Sequence, residues 1–391
     1  MAHGGEAVGR IGGKAVFVDG ALPGETVVVD ILEERGSWAR AMLVSVVEAS
    51  PERIEPLCGH FGHCGGCQWQ FASRETQAEW KHDVVAGQLQ HLGRIIDADV
   101  RPTLKPGPDF GYRNRMDFRV ERGRPALYRR RSKEREALDE CPILSDELAS
   151  MLDEVGDLTP LDRITLRAGS NTGDRLAIVS GEVPEEAGGW SFPVCRVRRG
   201  RAEPIHGAPY LTEKVGGTTF RITASAFFQN NTAGAEALAD LVGEALQLTE
   251  EDTLLDAYAG GGLFALTSGR GAGRVLAIES AGLAAADLAY NSRNVGVEVE
   301  VVAASVETGI GGENWTAVVC DPPRTGLGAA GVEALVGPGP RVIAYVACDP
   351  ASLARDARLL RQAGYDLDYA VPVDMFPQTF HIETVARFQL R

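Results

Sequence analysis

The sequence predicts an α/β protein with a C-terminal Rossmann-like domain, preceded by a small β-barrel and a mixed α+β middle domain. Two patterns and the chain length support this architecture. The last third alternates short apolar runs with helical patterns, which is typical of strand–helix units around a parallel sheet. The first fifty residues show only strand-like runs and turns. A length of 391 residues suggests two or three domains, which we place at 1–52, 53–222 and 223–391.

The composition is that of an ordinary globular chain. Hydrophobic residues make up 44% of it, and no stretch is long enough to span a membrane. The N-terminus lacks a charged and apolar signal region, so we expect a cytoplasmic protein, and nothing implies an obligate protein partner. Seven cysteines, an odd number, argue against a disulfide framework. The net charge of −15 speaks against nucleic-acid binding by the chain as a whole.

Residues 1–52 are predicted to form the small barrel. Strand-like runs occur at Val16–Val18, Thr26–Ile31 and Trp38–Val47, and a turn with two glycines and a proline separates the first two. A compact barrel of this kind often binds RNA. It can equally serve as a structural cap, and composition alone does not separate the two interpretations.

Four cysteines in the middle domain suggest a metal centre. Cys58, Cys64 and Cys67 follow a C-x5-C-x2-C spacing, and Cys141, which precedes a proline, lies further along the chain. Zinc normally uses two C-x2-C pairs, whereas three close cysteines with a distant Cys-Pro are nearer to iron–sulfur ligation. An iron–sulfur cluster is the first hypothesis, zinc the second and unligated cysteines the third. The same loop contains two alternative zinc ligands, which are more simply loop residues, His60 and His63.

The rest of the middle domain is predicted to contain a helix and an antiparallel sheet. Residues 74–92 have apolar side chains on one side at helical spacing and are followed by Gly93. We expect this helix to be a packing element, against the C-terminal domain. From 161 to 222, short strand-like runs alternate with Gly, Ser and Asn turns, which indicates an antiparallel sheet.

A basic run from Arg113 to Arg135 contrasts with the acidic chain. It has ten basic residues against three acidic ones, a net charge of +7. Interleaved Tyr112, Phe118 and Tyr128 can stack on bases, and arginine suits bidentate phosphate contacts. We therefore predict a track for RNA, although a charged run is usually only a solvated face. The candidate RNA contacts are Arg113, Arg115, Arg129, Arg130 and Arg131, with a second cluster at Arg196, Arg198, Arg199 and Arg201.

Glycines and carboxylates follow the first strands of the C-terminal domain. Asp256 ends one strand, the sequence Ala-Gly-Gly-Gly at 259–262 precedes a helix at Leu263–Ser268, and Glu279 ends the next strand. A glycine loop lets the backbone approach a cofactor, and a carboxylate at the next strand tip can hold ribose hydroxyls. Because the loop also fits the G-x-G-x-x-A dinucleotide pattern, NAD is one interpretation of it.

Later strands favour a different cofactor. Residues 321–324 read Asp-Pro-Pro-Arg after a short strand, and a terminal β pair is predicted at Leu367–Val373 and Thr384–Leu390. Such a terminal pair is usual in sheets of S-adenosylmethionine (SAM) methyltransferases. An NAD domain has no obvious use for the Asp-Pro-Pro sequence or for the cysteine described next.

Cys348 lies at the predicted tip of a buried strand, Val342–Val346, just before a helix N-terminus. Asp349 is a good N-cap, Pro350 suits the first helical position, and Gly364 suits the end of the helix. The partial positive charge of the helix N-terminus is expected to favour the thiolate and lower the thiol pKa. A buried structural cysteine is the alternative, but the position at the carboxyl end of a strand favours a nucleophile.

Taken together and in this order, the motifs resemble the RNA 5-methyluridine methyltransferase family (TrmA/RumA type), over almost the whole chain. The resemblance is carried by the β module of the TRAM type, the four cysteines, Phe227-Phe-Gln229, Asp256 with the glycines after it, Glu279, Asp-Pro-Pro-Arg, Cys348-Asp-Pro and the segment from Met375 to Glu383. Few of these motifs are specific alone.

The resemblance implies roles for individual residues. Cys348 would be the nucleophile and Glu383 the general base. A 4Fe-4S cluster would be held by Cys58, Cys64, Cys67 and Cys141. The SAM site would be lined by Gln229, Asp256, Tyr258, Gly260, Gly262, Glu279 and Asp321. Cys195 and Cys320 have no expected role beyond packing.

The chemistry agrees with these roles. Uracil C5 becomes nucleophilic only after a thiolate adds to C6, and a base must then remove the C5 proton. The uridine must leave its stack to reach the cysteine. Rival hypotheses are a redox or RNA-binding module with an inert SAM fold, and a small-molecule methyltransferase, which would leave the arginines and the β module without a role. Within the family we expect 23S rRNA as the substrate, with tRNA as the alternative.

Overall fold

The computed structural model describes residues 1–198, 201–309 and 314–391, whose strands form four sheets. The first sheet has the order β1-β2-β4-β3, and its core contains Val16, Val18 and Ala41. β2 pairs in parallel with β4, and the other two pairings are antiparallel. The predicted strands of the small barrel are therefore confirmed. They are β1 (Ala7–Ile11), β2 (Lys14–Asp19), β3 (Thr26–Glu34) and β4 (Trp38–Glu48).

The middle of the chain contains a seven-stranded sheet in the order β11-β10-β9-β8-β5-β6-β7. It is antiparallel as expected, except that β9 and β10 run parallel. Its strands are β5 (Arg115–Glu121), β6 (Arg124–Tyr128), β7 (Arg135–Ala137), β8 (Leu161–Ala168), β9 (Arg175–Gly181), β10 (Val194–Arg198) and β11 (Arg201–His206). The helices of this region are α1 (Arg74–His91) and α2 (Asp146–Val155), and a hairpin follows, β12 (Tyr210–Val215) and β13 (Thr218–Thr223).

The C-terminal sheet has the strand order β16-β15-β14-β17-β18-β20-β19. The first five strands in that order are parallel, and β20 is inserted antiparallel between β18 and β19. The strands are β14 (Thr253–Ala257), β15 (Arg274–Ile278), β16 (Glu300–Val302), β17 (Ala317–Cys320), β18 (Val342–Ala347), β19 (Tyr365–Val373) and β20 (Glu383–Leu390). The order is that of a class I methyltransferase sheet, so the predicted Rossmann-like domain is confirmed.

Helices cover both faces of this sheet. They are α3 (Thr232–Leu246), α4 (Leu263–Leu266), α5 (Gly282–Val295), α6 (Val306–Gly309), α7 (Gly328–Val336) and α8 (Pro350–Gln362). Alternate residues of β18 enter two separate cores: Val342, Ala344 and Val346 pack on the α3 side, and Ile343 and Tyr345 on the α8 side. Burial on both faces explains why the strand reads as a continuous apolar run.

The structure shortens one predicted helix. The expected helix at Leu263–Ser268 stops at Leu266 and continues as a 3₁₀ turn at Ser268–Gly271. Its residues still run from the glycine loop towards β15, so the position of the loop is unaffected. None of the helices described here is long and apolar enough to cross a membrane.

Helix α1 packs on the C-terminal domain, although that domain lies far away in sequence. Val84, Val85 and Leu89 belong to the same core as α8. Ser73 caps the helix by accepting a hydrogen bond from the backbone N–H of Thr76. The α1 surface that faces the β19–β20 connection carries charge, unlike the rest of the contact.

A buried ion pair joins α1 to the β19–β20 connection. The Lys81 ammonium contacts Asp374, both side chains are fully buried, and the Lys81 Nζ also donates to Phe376 O at 3.2 Å. Arg74 Nε donates to the same carboxylate at 3.1 Å. The Gln378 backbone N–H donates to Gln77 Oε1 at 2.9 Å. Because a buried charge is costly without its partner, these contacts hold the segment just before Glu383 in one position.

Candidate active site

A cleft of about 910 Å³ opens at the carboxyl edge of the C-terminal sheet. It lies at the point where strand order reverses, between β14 and β17, which is where open α/β sheets bind ligands. The cleft brings together residues that are far apart in the sequence. The predicted site residues that line it are Gln229, Tyr258, Gly260, Glu279, Asp321, Cys348 and Glu383.

Cys348 lies directly after β18, at the mouth of the cleft. Asp349 caps α8, since its carboxylate accepts a hydrogen bond from the Ser352 N–H at 2.7 Å, and Pro350 is the first helical residue. Gly364, just past the helix, has a φ of +97°. The local structure predicted around the cysteine is therefore confirmed.

The expected low thiol pKa is wrong for this structure. Burial, and then the carboxylates of Glu383 and Asp321, raise the pKa of Cys348 to about 12, against the opposing charge of Arg324. The helix N-terminus offers only a partial charge, whereas the carboxylates act at close range in a desolvated site. The free protein therefore holds Cys348 mainly as the neutral thiol at pH 7.

Glu383 is placed beside Cys348 by strand register. Ala347, the last residue of β18, lies opposite Thr384, so Cys348, which follows the strand, lies next to Glu383 at the start of β20. The Glu383 side chain is buried, and burial together with the nearby Asp321 raises its pKa well above the ordinary value. A group distant in sequence thus becomes the neighbour of the cysteine.

The glycine loop is held by Glu279. One carboxylate oxygen accepts a hydrogen bond from Gly260 N at 2.8 Å and the other from Ala281 N at 2.5 Å. Gly262 has a φ of +94°, and a Cβ there would lie 2.3 Å from Leu288 Cδ1. Gly262 therefore serves close packing of the loop and does not itself line the cleft, unlike Gly260.

Asp256 lies behind the cleft and is fully buried. Its Oδ2 accepts a hydrogen bond from Ala265 N at 2.8 Å, and Oδ1 has no partner among the described residues. Burial and the proximity of Asp321 and Glu279 raise its pKa to about 8, and burial raises the pKa of Asp321 to about 7. Several carboxyl groups crowded into a desolvated site favour the binding of a cation.

Comparisons with known proteins agree with this geometry. An RNA methyltransferase of Gloeobacter violaceus is 33% identical and covers 100% of this chain and 94% of its own. One of Streptomyces avermitilis is 35% identical over 99% of this chain and 95% of its own.

The chain belongs to the RNA methyltransferases of the TrmA/RumA type.

A TRAM domain model matches residues 2–44 of this methyltransferase. The structure of the Pyrococcus abyssi tRNA (uracil-54, C5)-methyltransferase in complex with S-adenosyl-L-homocysteine is similar, with a TM-score of 0.75 and 25% identity. The match covers 95% of this chain and 94% of that one.

The cleft of the methyltransferase also contains residues that the sequence did not assign to the active site. Among the described residues, two cations line it, Arg201 and Arg324. Arg324 NH2 lies 3.2 Å from His381 Nδ1. Burial, and then the charge of Arg324, lower the pKa of His381 to about 4, so the imidazole is neutral and accepts the hydrogen bond. Arg324 stands in the Asp-Pro-Pro-Arg motif, which marks a strand tip but not the direction of the side chain.

The sequence also predicted no role for Phe227, which it showed only as part of a motif. It lines the cleft with 58% of its surface exposed, whereas the adjacent Phe228 is buried in the core. An exposed aromatic ring at the mouth of a cleft suits stacking on a planar ligand. The Phe-Phe pair was visible in the sequence, but only the structure shows which ring faces outwards.

The four cysteines of the middle region line one narrow cavity, together with apolar side chains such as Leu127 and Ile143. The Gly66 N–H points at Cys64 Sγ, 3.4 Å away. Burial raises the pKa of Cys67 to about 11 and the pKa of Cys141 to about 12. Without a cation, this cavity therefore favours neutral thiols.

Among the described residues, neither histidine of this loop hydrogen-bonds to a thiol, although His60 lines the same cavity. His60 Nδ1 lies 3.3 Å from Glu136, its Nε2 accepts from Asp139 N at 3.2 Å, and His63 is exposed. In the part of the chain that the structure describes, no group of three or more His, Cys, Asp or Glu side chains is arranged to hold a metal ion. The expected metal centre is thus not shown, and it remains a prediction.

The basic run does not form one continuous track. Arg124 pairs with Asp139 and Arg135 with Glu121. Arg113 packs against the Phe376 ring, while Arg115 pairs with Asp117. Arg129, Arg130 and Arg131 lie at the boundary with the TRAM module. Of the second cluster, Arg199 lies outside the described residues, and Arg201 lines the cleft at the edge of the C-terminal sheet.

The raised pKa of Cys348 predicts how its reactivity changes with pH. Since only the thiolate is alkylated, the rate of Cys348 modification by iodoacetamide should rise about tenfold per pH unit from pH 7 to 9. Glu383→Gln should accelerate the reaction in the alkaline range, because it removes a carboxylate that raises the thiol pKa. Mass spectrometry of the Cys348 peptide measures the rate, with Cys348→Ala as the blank. A rate that levels off below pH 9 would contradict the raised pKa.

Proposed function

We propose that this chain transfers a methyl group from SAM to C5 of a uridine in RNA. The observation that carries the proposal is the pairing of a nucleophile with a base at one cleft, since strand register places Glu383 beside Cys348. The uracil-C5 specificity of the similar Pyrococcus abyssi enzyme supports it. A small-molecule substrate would not explain the TRAM module, which matches over residues 2–44.

The cleft suits a sulfonium cation. One buried oxygen of Asp256 has no partner among the described residues. Beside it lie Asp321, whose pKa is raised by burial, and Glu279, whose carboxylate accepts a hydrogen bond from Gly260 N. Gln229, Tyr258 and Gly260 complete the rim of this part of the cleft. When bound there, SAM supplies an electrophilic methyl group. Its positive charge would also favour ionisation of the acidic groups around it, Cys348 included.

The chain's own residues carry the other steps. The Cys348 thiolate forms a bond to uracil C6, and the C5–C6 π electrons move to O4 and give an enolate. C5 of the enolate would form a bond to the methyl carbon of SAM, whose bond to sulfur breaks and leaves S-adenosyl-L-homocysteine. Glu383 then removes the C5 proton. The electrons of the C5–H bond form the C5–C6 double bond again, and the C6–S bond breaks and releases Cys348 as the thiolate. A carboxyl with a raised pKa suits this step, because once ionised it is a stronger base than an ordinary glutamate.

Arg324 stabilises the enolate in this proposal. Its guanidinium lies close enough to Cys348 and Glu383 to oppose the rise in the pKa of each that burial and the nearby carboxylates cause. The hydrogen bond to neutral His381 fixes its direction without cancelling its charge. Donors set in place before charge develops are a main source of catalysis in desolvated sites. Phe227, exposed at the same cleft, would stack on the flipped uracil.

The RNA substrate in the proposal is 23S rRNA, because members of this family that combine a TRAM domain with four cluster cysteines often act there. A tRNA substrate is the second candidate, since the similar solved structure is that of a tRNA methyltransferase. Mapping of 5-methyluridine in rRNA and tRNA from a deletion strain decides between them. Loss of the modification from neither RNA would contradict the proposed function. With either RNA the cytoplasm is the proposed location.

The cysteine cavity is proposed to hold a 4Fe-4S cluster, with Cys58, Cys64, Cys67 and Cys141 as ligands. The four thiols share one cavity, a backbone N–H points at sulfur, and apolar side chains exclude water. Three close cysteines with a distant Cys-Pro are nearer to iron–sulfur ligation than to the paired C-x2-C spacing that zinc prefers. The cluster would supply structural bracing of this loop.

The first prediction separates the roles of Cys348 and Glu383. Cys348→Ala should abolish methylation, with SAM binding largely intact, because the nucleophile does not hold the donor. In Glu383→Gln, Cys348 should still add to uracil C6 and C5 should still be methylated. Because the C5 proton then stays on the ring, the product should not be released, and a methylated RNA–protein adduct accumulates. Denaturing electrophoresis with radiolabelled SAM detects it as a slow-moving band, which the double variant should lack. A Glu383→Gln enzyme with normal turnover and no adduct would rule out Glu383 as the base.

The second prediction concerns Arg324. In RNA containing 5-fluorouridine the C5 substituent cannot be removed as a proton, so covalent adduct formation does not depend on the base. Arg324→Met should slow adduct formation about 100-fold, as for loss of one oxyanion donor, while RNA affinity changes little. Arg324→Lys should recover part of the rate. The matched control is Arg355→Met, an exposed arginine of α8. An equal loss of RNA affinity and adduct rate would assign Arg324 to binding alone.

The third prediction concerns the cluster. Protein purified without oxygen should be brown and contain about four irons per chain. Cys58→Ser should lower the iron content, whereas Cys195→Ala, at a buried position outside the cavity, should not. Metal analysis and the visible absorption spectrum measure both. One zinc per chain without iron would show that the assignment is wrong.

A further inference from the structure

Asp356, a residue of α8 that no step of the proposed reaction uses, joins three elements near the cleft. The residue is buried, with 3% of its surface exposed. Its Oδ2 accepts hydrogen bonds from Leu327 N at 2.6 Å and from the Tyr345 hydroxyl at 2.7 Å, and its Oδ1 accepts one from Gly328 N at 3.1 Å. The carboxylate therefore connects α8 to β18 and to the start of α7.

The same carboxylate caps α7 from another helix. The N-cap residue of α7, Leu327, is apolar and makes no side-chain hydrogen bond to the helix. A serine or an aspartate at that position would satisfy the first backbone N–H groups by itself. Because the acceptor comes from Asp356 instead, the cap fixes the position of α7 relative to α8 and not only the conformation of its first turn.

Gly326 lets the chain before α7 approach the carboxylate closely. A Cβ there would lie 2.4 Å from Asp356 Oδ2 and 3.1 Å from Ser352 Cβ, and the φ of Gly326 is +79°. Both the close approach and the positive φ favour glycine. Gly326 N also donates to Pro323 O at 2.8 Å, which closes a tight turn that contains Arg324. The turn with the cleft arginine is thus adjacent to the contact with Asp356.

Both ends of the segment that carries Arg324 are therefore fixed. At its start, just after β17, Asp321 N donates to Ala257 O at 3.3 Å. At its end, the segment is held by Asp356. Helix α8, to which Asp356 belongs, begins two residues after Cys348. One buried carboxylate thus links the segment with the cleft arginine to the helix that follows the nucleophile.

We propose that Asp356 is a positioning residue, whose carboxylate holds Arg324 where the guanidinium reaches the uracil bound beside Cys348. The proposal rests on the proposed function for the role of Arg324. Asp356 is not among the described residues that line the cleft, so it acts through the position of Arg324 and not by contact with the substrate. A displacement of a catalytic group by about 1 Å can cost about 100-fold in rate.

The test is a double-mutant cycle between Asp356→Asn and Arg324→Met, measured as the rate of covalent adduct formation with RNA that contains 5-fluorouridine. Asparagine keeps the size of the side chain, but it has one acceptor oxygen, and its NH2 group would face a donor. Asp356→Asn alone should slow adduct formation about tenfold, with RNA affinity unchanged. In the Arg324→Met background it should slow the reaction less than about twofold, because no guanidinium is left to displace.

Two outcomes of this cycle would overturn the proposal. An unchanged adduct rate in Asp356→Asn would show that the contacts of the carboxylate do not matter for the chemistry. Losses that multiply in the double variant would show that Asp356 and Arg324 act independently, which would leave Asp356 a role in the stability of the fold alone.

Alkylation of Cys348 by iodoacetamide gives a second readout, which needs no RNA. The charge of Arg324 opposes the rise in the pKa of Cys348, so a displaced guanidinium should leave less thiolate at pH 8 and slow alkylation about threefold. The direct loss of a negative charge at position 356 would instead favour the thiolate. The slowing should disappear in the Arg324→Met background. Unchanged or faster alkylation in Asp356→Asn would overturn the proposal.

Two further variants separate positioning from a loss of stability. Asp252→Asn changes another buried carboxylate of the same domain, which pairs with Arg341 at the opposite edge of the sheet. It should lower the melting temperature and leave the adduct rate unchanged; a loss equal to that of Asp356→Asn would overturn the proposal. Tyr345→Phe removes one of the three donors and should slow adduct formation about threefold.

The Tyr345→Phe variant carries the test if Asp356→Asn does not fold, and an unchanged adduct rate would then overturn the proposal. Failure of the proposed function appears differently, as wild-type protein that forms no adduct with any RNA. In that case the alkylation rates still show whether Asp356 positions Arg324 beside Cys348.

Discussion

The antiparallel pairing of β18 with β20 is the constraint on which the candidate active site depends. Ala347 lies opposite Thr384, and this register brings Glu383 next to Cys348. Side chains alternate between the faces of a sheet, so a slip of one residue would move Glu383 away from the cysteine. The buried pair of Lys81 and Asp374 opposes such a slip, because it ties the segment before β20 to α1.

Burial of negative charge is the second feature of the site. Asp256, Asp321 and Glu383 have raised pKa values because they are desolvated and close to one another. A protein designed only for stability would pair these groups, yet one oxygen of Asp256 has no partner among the described residues. Unpaired buried carboxyls are a sign of function, since a cationic ligand would neutralise them. The same environment explains why Cys348 has a raised pKa despite its place before a helix.

The arginines of the middle region show how tertiary contacts divide a uniform sequence pattern. From Arg113 to Arg135 the chain reads as one basic run, but the structure pairs most of these side chains with carboxylates. The turn at 129–131 combines partial exposure with a place in a cavity, where Glu6 and Asp19 of the TRAM module order its side chains. Ion pairing here orders the arginines and leaves part of each side chain exposed.

The sequence by itself determined the elements and the kinds of chemistry available to this chain. Apolar period, N-caps and glycine breaks predicted the strand before Cys348 and the helix after it, because these signals act over a few residues. The motifs also indicated the family. What only the tertiary structure decided depends on contacts between residues far apart in the chain. Examples are the pKa of Cys348, the outward face of Phe227, and the contact of Arg324 with His381. Burial and the distance between charges set these properties, and neither can be predicted from the local sequence.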